Sequence, residues 1–246
     1  MRILSINANF CNNFNFWLLL NFNDPHHHLH WLYRQLHKAE IAKEKVFILA
    51  HIAPGTHSCL GRWSHEYNRL VNRFRNVILG QFFGHTHFDE FQIFFNGTKA
   101  INLAYLAPSQ TSVDGLNPAY RIYEIDDETN LLVDHVTFYA DIEKANKEGF
   151  LEVKKEYSAR QTLGLEDMSP ESWHKYVKEL STDSSKFQEF RRHYYRSGPA
   201  LGHRCDAECK KNLLCDLLTS EAQLSQKPQV CNELKIDLND WWSWFK

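Results

Sequence analysis

A mixed α/β fold is predicted by three features of the 246-residue sequence. Short, continuous apolar runs at 46–50 and 77–83 have the make-up of strands covered on both faces. Segments with helical apolar spacing alternate with these runs, and a series of strand-like stretches separated by turn signals follows. Beyond about residue 140 the apolar spacing becomes helical again, and four of the six cysteines gather there.

Asp24 and Pro25 make an N-cap and first-turn pair. Leu29, Leu32, Leu36 and Ala39 then recur at helical spacing, so 26–44 reads as an amphipathic helix packed on a sheet. His26, His27 and His28 fall in its first turn. Adjacent helical residues point about 100° apart, so the triplet reads as a solvated helix end in preference to a metal site. The run 46–50 ends at His51. Leu60, Trp63, Tyr67, Leu70, Val71 and Phe74 give 58–74 one apolar helical face. The run 77–83 leads into Gly84-His85-Thr86-His87.

Strands are expected at 90–95, 100–106, 120–125 and 131–138, separated by Asn-Gly, Pro-Ser, Asn-Pro and Asp-Asp turn signals. Short helices follow, carried by Trp173, Tyr176, Val177 and Leu180, then Phe187, Phe190, Tyr194 and Tyr195, then Leu213, Leu214, Leu217 and Leu218. With no low-complexity linker before it, this helical part is expected to dock on the sheet.

Composition excludes several function classes. A formal net charge of -2 supplies no basic field for nucleic acid. No apolar stretch approaches the roughly 20 residues of a membrane-spanning helix. The first 22 residues do not read as a signal peptide, because asparagines interrupt any apolar core. Fourteen histidines are compatible with an acidic compartment. Six cysteines allow fifteen disulfide connectivities. Buried free thiols, or a zinc-like use of Cys205 and Cys209, are the alternatives, but His203 is the only imidazole near that pair. Asn96-Gly97-Thr98 spells an N-glycosylation sequon.

The candidate site is a set of imidazoles placed after strands. A dinuclear hydrolase site needs neutral imidazoles and carboxylates on short loops, aimed by rigid strands at two ions about 3.5–4 Å apart. His51, His85 and His87 answer that description, as half of such a site. Hydrogen-bonded core histidines are the alternative. Asp89 and Glu90 follow the His pair and could orient the imidazoles, with an exposed turn as the equal alternative. His57 and His65 read as structural or solvated.

The wider segment is more specific. His51-Ile-Ala-Pro-Gly55, Gln81-Phe-Phe-Gly-His-Thr-His-Phe-Asp-Glu-Phe91, Leu106-Ala-Pro-Ser109 and Gly115-Leu-Asn-Pro-Ala-Tyr-Arg-Ile-Tyr123 closely resemble acid sphingomyelinase, within the calcineurin-like metallophosphatases. The resemblance extends from Ser5-Ile-Asn-Ala-Asn-Phe-Cys11 to the C-terminal cysteines. It implies the C-terminal half of a layered α/β/β/α metallophosphatase sandwich over 1–112, and a small disulfide-tied helical C-terminal domain over 113–246, with strands to about 140.

It also implies two zinc ions, one held by His51 with His85 and the other by His87. The implied reaction converts sphingomyelin and water to ceramide and phosphocholine. The implied disulfides are Cys11 with Cys59, Cys205 with Cys209, and Cys215 with Cys231; on the chain-entropy model the first is worth about 4 kcal/mol. The expected setting is extracellular or lysosomal, with sphingomyelin or a related phospholipid at a membrane surface as partner.

The set of motifs that the family places upstream is not found together. Members open their catalytic domain with Asp-x-His, a bridging Asp and an Asn-His pair, after a saposin-like domain. Residues 1–50 hold no Gly-Asn-His, and the early acidic candidate, Asp24, stands before Pro25 at a helix start. The chain is therefore expected to be a C-terminal piece, inactive alone, with no catalytic residue retained beyond the metal ligands. Two other functions stay in view: a phosphodiesterase acting on nucleotides or other soluble phosphodiesters, and a catalytically dead remnant that binds lipid or a partner. For Trp241-Trp242-Ser-Trp244-Phe245, a lipid interface competes with a packed anchor.

Overall fold

The computed structural model describes residues 1–21, 23–222 and 228–236. The aromatic cluster at 241–245 lies outside them. Strand β1 (Arg2–Ser5) opens the chain, and helix α1 (His28–Ile41) follows a 3-10 turn at Pro25–His27. Asp24 caps this helix: its carboxylate accepts from the backbone N–H of Leu29 at 2.6 Å and of His30 at 3.0 Å. The regular helix starts at His28, later than apolar spacing suggests, because His26 and His27 take left-handed backbone conformations.

Next come β2 (Val46–Ile52), α2 (Gly61–Arg73), β3 (Ile78–Gly84), β4 (Glu90–Asn96) and β5 (Lys99–Leu106). They form a five-stranded sheet in the order β1-β2-β3-β5-β4. Its first four members run parallel, and β4 pairs antiparallel with β5. Leu29, Leu32, Leu36 and Ala39 of α1, with Trp63, Tyr67 and Val71 of α2, pack against Val46, Ile48, Ile78 and Phe83 on one face. A buried polar chain pins this layer. Tyr67 donates to Gln81 Oε1 at 2.7 Å, Gln81 Nε2 donates to Asn102 Oδ1 at 2.7 Å, and Asn102 Nδ2 donates to the Ile78 carbonyl at 2.9 Å.

A second sheet, with β7 at its centre, is formed by β6 (Ala119–Ile125), β7 (Leu132–Ala140) and β8 (Val153–Ser158), with α3 (Ile142–Glu148) between the last two strands. Strand β8 corrects the expectation that only helices lie beyond residue 140. Then come α4 (Ala159–Leu163), α5 (Pro170–Thr182), α6 (Ser184–Tyr194), α7 (Ala207–Leu217) and α8 (Gln229–Asn232). Trp173, Tyr176, Val177 and Leu180 of α5, Phe187 and Phe190 of α6, and Leu214 and Leu217 of α7 bury against Phe91, Ile93, Leu103 and Tyr105 of the first sheet. The helical part therefore docks on the sheet, and the α/β class holds.

All six cysteines are paired as the resemblance implies: Cys11–Cys59, Cys205–Cys209 and Cys215–Cys231, with Cα separations of 4.7, 5.1 and 5.2 Å. Among the described residues no helix is long and apolar enough to cross a membrane.

Candidate metal centre

Parallel pairing sets the ends of β2 and β3 level, with Ile52 opposite Gly84. Between Leu49 and Ile52 strand β2 holds one residue more than its partner, so a bulge falls at Ala50 and His51. Bulges re-aim side chains at sheet rims. His51 thus lies inside the strand, one residue before its end, not after it, and its ring meets that of His85 nearly at right angles, 5.1 Å between centroids. His51 Nε2 and His85 Nδ1 are 3.3 Å apart.

His85 and His87 both have positive φ, at 78° and 69°. L-residues pay for that conformation, and such strain concentrates at functional sites. His85 Nε2 meets Ser58 Oγ at 2.8 Å, so both its ring nitrogens have partners. Burial holds the His85 imidazole below its usual pKa, and the neighbouring His51 and His87 push in the same direction. His87 is therefore close enough to act on His85 electrostatically. His57 is exposed, and His65 pairs with Glu221 at 2.8 Å.

Ser58 is the residue that sequence inspection missed. The Cys11–Cys59 bridge anchors its neighbour. The Asn13 backbone N–H donates to the Ser58 carbonyl at 2.8 Å, and Asn13 Nδ2 donates to the His57 carbonyl at 3.1 Å. A lone serine in a loop carries no pattern; its place beside Cys59 is the only hint.

Asp89 does not turn to the imidazoles. It is buried, ion-paired with Arg121 of β6, and accepts from the Tyr157 hydroxyl at 2.9 Å and Thr137 Oγ1 at 3.2 Å. The hydrogen bonds of both its oxygens go to these partners instead of His85 or His87. Glu90 is half-buried at the start of β4, and burial pushes its carboxyl up to about 7, helped by the charges of Asp216 and Asp89. Asp24-Pro25-His26 spells Asp-x-His, but both carboxylate oxygens are committed to the α1 cap.

Zinc can be tested against this geometry. Two nitrogens bound to one tetrahedral zinc at about 2.0–2.1 Å lie roughly 3.3–3.4 Å apart. The 3.3 Å between His51 Nε2 and His85 Nδ1 fits two corners of such an ion. Among the described residues, no group of three or more His, Cys, Asp or Glu side chains is arranged to hold an ion. Among the described residues His51 and His85 present two corners, and no further ligands join them there.

The structure thus brings the imidazoles of His51 and His85 together at the carboxyl ends of neighbouring parallel strands in a disulfide-tied α/β fold. A family model described as "Acid sphingomyelin phosphodiesterase C-terminal region" matches residues 99–227. "Sphingomyelin phosphodiesterase 1" of Caenorhabditis elegans is 39% identical over 88% of this chain and 39% of its own length. "Sphingomyelin phosphodiesterase" of Homo sapiens is 38% identical over 96% of this chain and 38% of its own length. A more distant relative, the human "Cyclic GMP-AMP phosphodiesterase SMPDL3A", is 29% identical over 89% of this chain and 51% of its own length. The chain belongs to the acid sphingomyelin phosphodiesterase family. It spans about two fifths of the two sphingomyelin phosphodiesterases it matches.

Proposed function

We propose that this chain carries the histidine-bearing part of a zinc-dependent sphingomyelin phosphodiesterase, and that these 246 residues alone do not turn over substrate. The observation that carries the reading is the 3.3 Å approach of His51 Nε2 to His85 Nδ1. Bound zinc would acidify a coordinated water and neutralise charge developing on the phosphate oxygens. The chain's own residues supply orientation. His51 and His85 would offer lone pairs to one ion and His87 to the other, and the burial that lowers the pKa of His85 favours the neutral imidazole a metal ligand needs. The substrate class, sphingomyelin, follows the names of the relatives, and a membrane surface is where such a lipid would be met. The three disulfides favour an extracellular or lysosomal setting.

The test is complementation. With zinc alone, wild-type chain and His85→Ala should release equal, background amounts of phosphocholine. Supplying the N-terminal portion of a sphingomyelin phosphodiesterase relative should produce activity that His85→Ala abolishes. His85-dependent turnover by the unaided chain would overturn the inactivity. Preferential hydrolysis of cyclic GMP-AMP by the complemented protein would move the substrate to the soluble phosphodiesters.

A second reading, a remnant that no longer binds metal, is favoured by the absence of a three-donor group among the described residues. Zinc bound well below one ion per complemented chain, with retention on sphingomyelin vesicles, would select it.

A further inference from the structure

We propose that Ser58 is a positioning residue that fixes the tautomer of His85, accepting the Nε2–H proton so that the Nδ1 lone pair faces His51. A neutral imidazole has one donor and one acceptor nitrogen, and the hydrogen bond made by one decides what the other can do. Here Nε2 has Ser58 Oγ at 2.8 Å, and Nδ1 has His51 Nε2 at 3.3 Å. The shorter contact is to the hydroxyl. With the proton on Nε2, Nδ1 is free to bind an ion or to accept from His51 Nε2–H. The opposite tautomer would aim an N–H at the position an ion would share.

Ser58 is held for this task. Its peptide carbonyl is clamped by the Asn13 N–H at 2.8 Å, the preceding carbonyl by Asn13 Nδ2 at 3.1 Å, and Cys59 is bridged to Cys11. On the other side of Cys59, the Leu60 N–H donates to the Cys11 carbonyl at 2.6 Å. The hydroxyl therefore stands on a short loop fixed at four points. Partners of this kind, which touch a ligand and not the ion, typically change metal affinity by about 10–100-fold.

The metal consequence rests on the proposed function; the tautomer does not. Long-range 15N–1H spectra of the metal-free full chain, with the His85 signals assigned through His85→Ala, decide it. Wild-type His85 should show a protonated Nε2 and an unprotonated Nδ1. Ser58→Ala should bring in the Nδ1–H form, and Ser58→Thr should restore the wild-type pattern with an unchanged melting temperature in all three proteins. A wild-type Nδ1–H tautomer, or a pattern that Ser58→Ala leaves unaltered, overturns the proposal. Zinc competition against a chelator adds the second readout, with about tenfold weaker binding expected for Ser58→Ala and recovery in Ser58→Thr. If the wild-type chain binds no zinc, the proposed function is what suffers, and the spectra still judge Ser58.

Discussion

Asp89 stands two residues after His87, yet its carboxylate is buried against the Arg121 guanidinium of the other sheet. Tyr157 completes the contact by hydrogen-bonding both partners, to Asp89 at 2.9 Å and from Arg121 at 3.1 Å. The loop that bears the His pair is thus tied at once to β6 and β8, and the tie is ionic.

Breaking that tie from one side should be costly. Asp89→Ala leaves a buried guanidinium without its counter-charge, so unfolding in urea should show a loss of about 3–5 kcal/mol. Removing both charges, in Asp89→Leu with Arg121→Met, should cost clearly less than Asp89→Ala. Equal costs would mean that packing, not charge pairing, holds the loop.

Stability should depend on pH through Glu90. Its carboxyl is raised in the folded state to about 7, from an ordinary 4.5. The folded chain then holds this proton where the unfolded chain has lost it, so the contribution falls as pH rises from 4.5 to 7 and is constant above. Glu90→Gln should therefore gain about 1–2 kcal/mol relative to wild type at pH 8 compared with pH 5 in urea titrations, after allowance for partial exposure. His135 works in the opposite direction. Burial holds its pKa well below 6.5, with Arg121 adding to the effect, so its contribution is lost as pH falls below the unfolded value.

Gly55 should not accept a side chain. A Cβ there would lie 2.2 Å from the Thr219 carbonyl oxygen and 2.8 Å from Gln92 Oε1. Gly55→Ala must push the loop off the segment that follows α7, at a cost of about 1–3 kcal/mol. Because this loop also carries Ser58, the His85 imidazole signals should shift in the same variant. An unaltered melting temperature would show that the Thr219 segment yields freely.

Asn96 should carry a glycan when the chain is made through a secretory pathway. It is exposed, and it pairs with Lys99 across the two-residue turn of the β4–β5 hairpin, where Gly97 has a φ of 61° and open space around it. Intact-mass measurement should find an increment that Asn96→Gln and endoglycosidase each remove. An unmodified Asn96 in secreted material would remove this site.

Much of the architecture was legible because apolar spacing reports burial. The runs ending at Ala50 and Phe83 are strands whose Val46, Ile48, Ile78 and Phe83 bury beneath α1 and α2, although the expected cover on both faces fails at Leu49, which is exposed. Strand β8 escaped because Val153-Lys-Lys-Glu-Tyr-Ser158 begins exposed and charged, and only Tyr157 and Ser158 are buried. Strand β1 escaped because four residues carry too little periodicity. In the site, the three imidazoles were visible from their motif, whereas the destination of Asp89 was not. A carboxylate beside a metal-type motif looks the same in sequence whether it faces the imidazoles or an arginine from a strand 32 residues on.

Strand β5 begins at Lys99, where the family match also begins, and it lies between β3 and β4 in the first sheet. The stretch recognisable as an inherited unit is therefore not one that could be cut out and expected to fold. Separated at that point, it would start with a strand stripped of hydrogen-bonding neighbours on both edges, and Tyr105 and Leu103 would lose the sheet that seats them beneath α5. Experiments on this region should keep residues 1–98 attached, since Phe91 and Ile93 of β4 complete the surface on which the C-terminal helices assemble.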